Sequence, residues 1–279
     1  MSSTLVTLGC SFSQGDGCYD LSLGWPKKEN GEYDVPKEKP LDLEDWLIEF
    51  RERNVRKTFN QNSIGANIQK RFGYEKYLNY GFGGYSNLSQ FFRFLNNLPK
   101  EDNLTIIWQL TFYHRRMQII RNQNHDAGLH YDWISQRRNE SMETHNLSFQ
   151  ELDDSDRYET LIYIDALNNI CKERGWNLLV WSWVKDEYKR LQILGKRVKD
   201  IIIPFDNPLD GIEEAPQEYQ CVLPWDGHPN EKGYKLIANQ LCDIIEENNM
   251  LDIPNDTPKE MKRLKEFTTN LEDDRLLLL

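Results

Sequence analysis

The sequence offers little that would hold structural zinc, a disulfide framework or a nucleic acid. Its cysteines show neither a CxxC pair nor a Cys/His spacing of the kind that binds zinc, and they lie far apart, at Cys10, Cys18, Cys171, Cys221 and Cys242. Such scattering argues against both structural zinc and a set of disulfides. The 34 lysines and arginines are outnumbered by 45 aspartates and glutamates, and the net charge of −11 would repel a phosphate backbone. We therefore expect no nucleic-acid partner.

Long hydrophobic runs are also missing. No segment approaches the roughly 20 apolar residues that span a bilayer, and the first residues, MSSTLVTLG, resemble no secretory leader. We therefore expect a soluble, cytoplasmic protein without a membrane span. Hydrophobic residues make up 39% of the chain, which suffices for the core of one large domain. We predict this domain over residues 1–250, and a charged and then apolar tail over 251–279 that forms a helix docking either on the domain or on a second copy of the chain.

What the sequence does contain is an alternation of short strand-like segments with longer segments of helical period, which is typical of a parallel sheet covered by helices. The predicted strands are 4–9, 76–81, 104–110, 177–184 and a shorter fifth one, 200–205. The predicted helices are 62–73, 86–99, 158–175 and 230–247. Ser86 and Asn230 stand where helix N-caps are expected. The pattern predicts an α/β fold with a central parallel sheet of about five strands.

Two polar segments, residues 18–60 and 118–156, interrupt this alternation. Both follow predicted strands, so both should emerge at the carboxyl edge of the sheet, where open α/β folds bind their ligands. They are candidates either for lids and substrate contacts or for surface decoration. Their aromatic residues would suit stacking on sugar rings but equally the packing of the insertions themselves; they are Tyr19, Trp25, Tyr33, Trp46, His130, Tyr131 and Trp133.

Two glycine-rich turns follow the first two predicted strands. In VTLGCSFSQGDG (6–17), the strand ends at Gly9 and Ser11 lies in the turn before a helix, where a hydroxyl is exposed and the serine N–H can point at a forming anion. In NYGFGGYSN (79–87), the glycines let the main chain approach a ligand closely. Each stretch would also suit a purely structural role, as a helix cap or a tight turn.

A third polar stretch, PWDGHPNEKGY (224–234), precedes the last predicted helix. Pro229 biases His228 toward an extended conformation, so the imidazole can project from the loop. Asp226 lies two residues earlier, close enough to orient the ring and to stabilise the imidazolium that a general base becomes. A surface histidine is the plainer interpretation of the stretch taken alone, and a metal site on Asp226, His228 and another acid is an alternative.

The order of these three stretches resembles the SGNH hydrolases, also called GDSL esterases/lipases. The resemblance spans roughly residues 4–247, and its most specific parts are GCSFSQGDG and DGHPNEKGY. It implies a three-layer α/β/α, flavodoxin-like sandwich. It also implies Ser11 as the nucleophile, His228 as the general base and Asp226 as the candidate acid. The oxyanion hole would contain the N–H groups of Ser11 and Gly84, and no metal or organic cofactor would be needed.

The sequence departs from the family pattern in three places. Cys10 replaces the usual aspartate before the serine. Asp226 precedes the histidine by two positions rather than three, so a main-chain carbonyl or another acid is the alternative for orienting the ring. In place of G-x-N-D after the third strand stands WQLTFYHRRM (108–117), which has no asparagine to donate to an oxyanion. Divergent SGNH-like proteins have a W-T…R pattern at this place, which Thr111 and Arg115 resemble. We expect Thr111 to replace the asparagine as oxyanion donor.

The resemblance implies a serine-dependent ester hydrolase that works by two-step acyl transfer on a small-molecule or carbohydrate ester. We expect removal of a small O-acyl group from a carbohydrate, with Arg115, Gln109 and Asn87 as candidate substrate-binding residues. For Arg115, a surface ion pair is the plainer alternative. Two other functions would use the same pocket: a binding module that has lost turnover, and an O-acyltransferase that passes the acyl group to an acceptor other than water.

Overall fold

The structure, a computed structural model, describes residues 3–15, 18, 28–30, 59–83, 85–111, 115–121, 127–133, 149–210, 215–221 and 227–251. Its helices are α1 Ser11–Gln14, α2 Phe59–Asn62, α3 Ile64–Phe72, α4 Asn87–Asn96, α5 Phe149–Arg174, α6 Glu187–Leu194 and α7 Glu231–Glu247. Its strands are β1 Thr4–Leu8, β2 Lys76–Asn79, β3 Leu104–Leu110, β4 Arg115–Arg121, β5 Ala127–Trp133 and β6 Asn177–Ser182.

Four parallel strands form the central sheet in the order β2-β1-β3-β6. Every residue of β1 and β3 is buried, as expected for strands covered by helices on both faces. Leu8 pairs with Trp108, and Leu110 pairs with Ser182, so β1, β3 and β6 end at the same edge. The parallel sheet and its helices confirm the predicted fold class.

Alternation along the strands supplies one apolar cluster to each face of the sheet. Leu5 belongs to the cluster that also contains Ile68 of α3 and Ile237 of α7. Val6 belongs to the opposite cluster, which also contains Phe94 of α4 and residues of α5 and α6. Helices α3 and α7 therefore cover one face, and α4, α5 and α6 cover the other, which gives the three layers.

Local capping signals place the helix boundaries. Ser63 and Ser86 accept hydrogen bonds from main-chain N–H groups in the first turns of α3 and α4, and Asn230 does the same for α7. The caps predicted at Ser86 and Asn230 are thus confirmed. Gly73 ends α3 with a left-handed φ of 72°, a conformation that glycine adopts without a Cβ clash.

The predicted fifth strand at 200–205 is wrong. Residues Lys199–Ile201 form one turn of 3₁₀ helix, and only Ile202 makes a parallel bridge, to Val180 of β6. Ile203 N donates to Val180 O, but the N–H of Phe205, the next one that would face β6, donates to Ile203 O instead, so the pairing stops there. Among the described residues the central sheet therefore has four strands.

The segment between β3 and α5 contains an antiparallel hairpin of β4 and β5, whose register pairs Arg115 with Trp133. The hairpin begins before the predicted insertion at 118–156, and α5 begins within that insertion. Most of the other predicted insertion, 18–60, and the tail after Leu251 lie outside the described residues. None of the described helices is long and apolar enough to cross a membrane.

Candidate active site

The turn after β1 presents Ser11 at the start of α1. Cys10 is the N-cap residue, and Gly15 ends the helix with a left-handed φ of 93°. Gly9 has no room for a side chain, because a Cβ there would lie 1.9 Å from Ser13 Oγ and 2.6 Å from Gln109 Oε1. The strand can therefore turn this sharply into α1 only with glycine at position 9.

The Ser11 hydroxyl and the His228 imidazole lie together, although 217 positions separate them in the chain. Ser11 Oγ is 2.7 Å from His228 Nε2, which is hydrogen-bond distance. Ser11 is 7% exposed, and His228 is partly exposed. A hydroxyl beside an imidazole nitrogen is the arrangement by which a histidine can take the proton of an attacking serine.

The main chain of His228 is held by the segment 219–221. Cys221 N donates to His228 O at 3.0 Å, and Asn230 N donates to Tyr219 O at 2.9 Å. The Asn230 side chain caps α7, the helix that follows. The loop that presents the imidazole is therefore anchored both to a neighbouring segment and to the last helix.

One aromatic side chain, Phe12, packs against the imidazole and is itself stacked on a second. The Phe12 ring lies 4.8 Å from the His228 ring, between centroids, at an angle of 49°. Phe12 also stacks on Trp183, with centroids 3.7 Å apart and planes inclined by 12°. Trp183 follows β6, and its carbonyl accepts a hydrogen bond from the buried Asn207 side chain at 2.8 Å. Phe12, Trp183 and Asn207 were not among the predicted site residues.

Gln109, a predicted substrate-binding residue, lies beneath the turn that carries Ser11. It is 1% exposed, and its Oε1 accepts a hydrogen bond from Ser13 Oγ at 2.6 Å. Its Nε2 donates to Cys10 Sγ at 3.6 Å. The amide thus connects β3 to α1 and has its polar atoms engaged within the protein.

The glycine-rich turn after β2 packs against α1. Asn79 Nδ2 donates to Ser13 O at 3.0 Å, and its Oδ1 accepts from Gly81 N at 2.9 Å. Gly83 N donates to Gln14 Oε1 at 2.9 Å. Since the two glycine-rich turns are joined by these bonds, the start of α1 and the turn after β2 lie side by side at the carboxyl edge of the sheet.

Thr111 follows β3 at the same edge and combines an engaged main chain with an unpaired hydroxyl. Its N–H donates to Asn87 Oδ1 at 2.9 Å, and Asn87 Nδ2 donates to Thr111 O at 3.4 Å. Thr111 is 1% exposed, and within the described part of the chain its Oγ1 has no hydrogen-bond partner. Asn87, the other predicted substrate-binding residue with a described side chain, is 4% exposed and holds the Thr111 main chain.

Three predicted site residues cannot be placed in this way. Asp226 and Gly84 lie outside the described residues, and for Arg115 the structure describes only the backbone, at the start of β4. In the part of the chain that is described, no three His, Cys, Asp or Glu side chains are grouped so as to hold a metal ion.

The side chains with strongly shifted pKa values include the Tyr77 hydroxyl and the Cys171 thiol. Burial raises the pKa of the Tyr77 hydroxyl to about 12, although hydrogen bonds with Ser63 and Thr7 oppose the shift. Burial likewise raises the pKa of the Cys171 thiol to about 12, against a smaller opposing effect of Arg174. Both groups are therefore protonated at neutral pH.

The residues that sequence reasoning missed share one feature: their roles arise from contacts between distant segments. The sequence does show an aromatic residue directly after the candidate serine and tryptophans at 181 and 183, around the end of β6. Nothing in the local pattern indicates that Phe12 and Trp183 stack. Ser13 was equally visible, but its bond to Gln109 joins positions 96 residues apart.

Comparison with known proteins gives distant likenesses. No family model matches the chain. An asparagine synthetase domain-containing protein of Drosophila melanogaster is 37% identical over 71 residues, which is 25% of this chain and 12% of that protein. The chain therefore spans only a small part of this curated relative.

Solved structures align with most of the chain at low identity. A member of the lipolytic protein G-D-S-L family from Veillonella parvula is 11% identical with a TM-score of 0.40, covering 88% of this chain and 98% of its own. A carbohydrate esterase is 12% identical with a TM-score of 0.47, covering 88% and 69%. The esterase EstA from Pseudoalteromonas sp. is 11% identical with a TM-score of 0.42, covering 88% and 97%. These similar structures include G-D-S-L proteins, the family that the sequence resembles.

Proposed function

We propose that the chain is a divergent SGNH hydrolase, a serine esterase that cleaves its substrate by two-step acyl transfer. The observation that carries this proposal is the 2.7 Å distance between Ser11 Oγ and His228 Nε2 at the carboxyl edge of the sheet. Open α/β folds place their ligands at that edge. A serine and a histidine brought there from opposite ends of the domain form a nucleophile and base pair.

In the first step His228 Nε2 takes the proton of Ser11 as Oγ attacks the ester carbonyl, and the imidazolium then protonates the departing alcohol. In the second step water, activated by the same nitrogen, releases the acyl group. This role requires the neutral imidazole to carry its proton on Nδ1, so that the Ser11 hydroxyl donates to Nε2. Asp226 is the acid that we propose to orient the ring.

The developing oxyanion would be held by the N–H groups of Ser11 and Gly84 and by the Thr111 hydroxyl. Because the Thr111 N–H already donates to Asn87 Oδ1, the hydroxyl is the Thr111 donor that remains for the oxyanion. A buried hydroxyl that has no partner among the described residues costs free energy of folding. Donation to a substrate oxyanion supplies that partner only when substrate is bound.

The engaged side chains of Asn87 and Gln109 favour supporting roles over substrate contact. Asn87 would fix the main chain of Thr111, and Gln109 would fix the turn of Ser11 through Ser13. Arg115 stays a proposal for binding an acidic group of the substrate. We further propose a small O-acyl group on a carbohydrate as the substrate, supported by the aromatic residues of the two polar insertions.

The test is hydrolysis of p-nitrophenyl acetate and of an acetylated oligosaccharide by the wild type, Ser11→Ala and His228→Gln. We expect both variants to lose at least about 1000-fold in kcat, since the nucleophile and its base act as a unit. Ser63→Ala is the matched control: it removes a structural cap, lowers the free energy of unfolding by about 1 kcal/mol and leaves kcat unchanged.

Equal, near-background rates in the wild type and Ser11→Ala would contradict the esterase and favour a non-catalytic binding module. Product that forms only after an alcohol acceptor is added would instead indicate an acyltransferase with the same nucleophile and base. Hydrolysis of the nitrophenyl ester without hydrolysis of the acetylated oligosaccharide would overturn only the carbohydrate assignment.

A further inference from the structure

The imidazole of His228 contacts two consecutive residues of one short helix. Ser11 supplies the hydroxyl at 2.7 Å from Nε2, and Phe12 supplies a ring at 4.8 Å from the imidazole centroid. Because Ser11 and Phe12 are neighbours in α1, the helix backbone sets the position of the hydroxyl and of the ring together. An imidazole that meets both contacts has its rotation about the side-chain bonds restricted.

Phe12 is itself held in place by the sheet. Its ring stacks on Trp183 at a centroid distance of 3.7 Å, and Trp183 is 2% exposed. The N–H of Trp183 donates to Leu110 O at 3.1 Å, and its carbonyl accepts from Asn207 Nδ2 at 2.8 Å. Asn207 is fully buried, so Trp183 is a fixed support rather than a mobile side chain.

We propose that Phe12, supported by Trp183, is a positioning residue that fixes the plane of the His228 imidazole for proton transfer from Ser11. This inference rests on the proposed esterase function. It assigns to ring packing part of the orienting role that an acid has in other serine hydrolases. Phe12 touches the base and acts through it, so its loss should lower kcat and leave KM largely unchanged.

The kinetic test compares Phe12→Leu, which keeps apolar bulk without a ring, with Phe12→Tyr, which keeps the ring. We expect kcat for p-nitrophenyl acetate to fall between about twofold and tenfold in Phe12→Leu, the range that one aromatic pair contributes. Phe12→Tyr should retain most of the wild-type kcat. Trp183→Leu, which removes the supporting ring, should lower kcat in the same direction with KM unchanged.

Phe94→Leu is the matched control, because Phe94 is a fully buried phenylalanine on the opposite face of the sheet. It should lower the melting temperature as Phe12→Leu does, with kcat unchanged. Equal losses of kcat in Phe94→Leu and Phe12→Leu would overturn the proposal, as would loss in Phe12→Tyr as great as in Phe12→Leu.

A second measurement does not depend on turnover. In protein labelled at the histidine ring carbons, the His228 signal, assigned by its absence in His228→Gln, should move in Phe12→Leu while the signals of the other four histidines stay in place. An unmoved His228 signal would overturn the ring contact. If the wild type hydrolysed no ester but the signal moved, the proposed function would fail while the packing of Phe12 on the imidazole stood. Should Phe12→Leu not fold, the same two measurements on Trp183→Leu decide.

Discussion

Replacing Thr111 with valine separates two effects of the Thr111 hydroxyl, one on the stability of the fold and one on activity. Valine has nearly the same shape as threonine and keeps the branched Cβ, so the substitution removes a hydroxyl with little change in packing. Thr111 is 1% exposed, and its buried Oγ1 has no hydrogen-bond partner among the residues that the structure describes. In the unfolded chain that hydroxyl is hydrated, so folding costs the desolvation of the group.

The structure predicts opposite effects on stability and activity. Because an unmade buried hydrogen bond costs about 1–3 kcal/mol, Thr111→Val should raise the free energy of unfolding by about 1 kcal/mol or more. If the hydroxyl donates to the oxyanion, the same change should lower kcat by about 100- to 1000-fold, or about 2.7–4 kcal/mol of transition-state stabilisation. Thr111→Ser, which keeps the hydroxyl, should retain far more activity than Thr111→Val.

Thr4, at the amino end of β1, offers a matched control, since its buried Oγ1 also has no hydrogen-bond partner in the described part of the chain. Thr4→Val should raise the free energy of unfolding in the same way and leave kcat unchanged. The assays are urea unfolding and hydrolysis of p-nitrophenyl acetate on all four proteins. A loss of less than about tenfold in kcat for Thr111→Val would refute the assignment of Thr111 to the oxyanion hole.

Two further predictions concern the turn at Gly9 and the side chains of Tyr77 and Cys171. Gly9→Ala should lower the free energy of unfolding by about 1–3 kcal/mol and reduce kcat, because its Cβ would meet Ser13 Oγ at 1.9 Å; an unchanged melting temperature would contradict this packing. Stability should fall at alkaline pH, since burial raises the pKa of Tyr77 from 10.0 and of Cys171 from 9.0, each to about 12. The folded state then binds these protons more tightly than the unfolded state, so the contribution is complete below about pH 9 and is lost as the pH approaches about 12. Urea unfolding at about pH 8 and pH 10.5 measures this loss of stability. Equal free energies of unfolding at both pH values would contradict the raised pKa values of Tyr77 and Cys171.

Much of the fold could be predicted because its signals are local. The apolar run of β3 and the caps at Ser86 and Asn230 depend on residues close in sequence, and the structure contains all of them. The predicted strand at 200–205 failed where a local pattern had to be completed by a partner strand. The N–H of Phe205, the next one that would face β6, donates to Ile203 O, and the segment makes one bridge instead of a ladder.

The sequence by itself determined the alternation of strands and helices, the glycine that allows the turn before Ser11, and the loop that presents His228. These depend on backbone preferences and on the period of apolar residues within a few positions. Only the tertiary structure decided that Ser11 Oγ and His228 Nε2 meet, that Phe12 contacts both Trp183 and the imidazole, and that Asn87 accepts a hydrogen bond from the N–H of Thr111. Such contacts join residues far apart in the chain, and they exist because parallel strands packed between two helical layers bring their carboxyl ends to one edge.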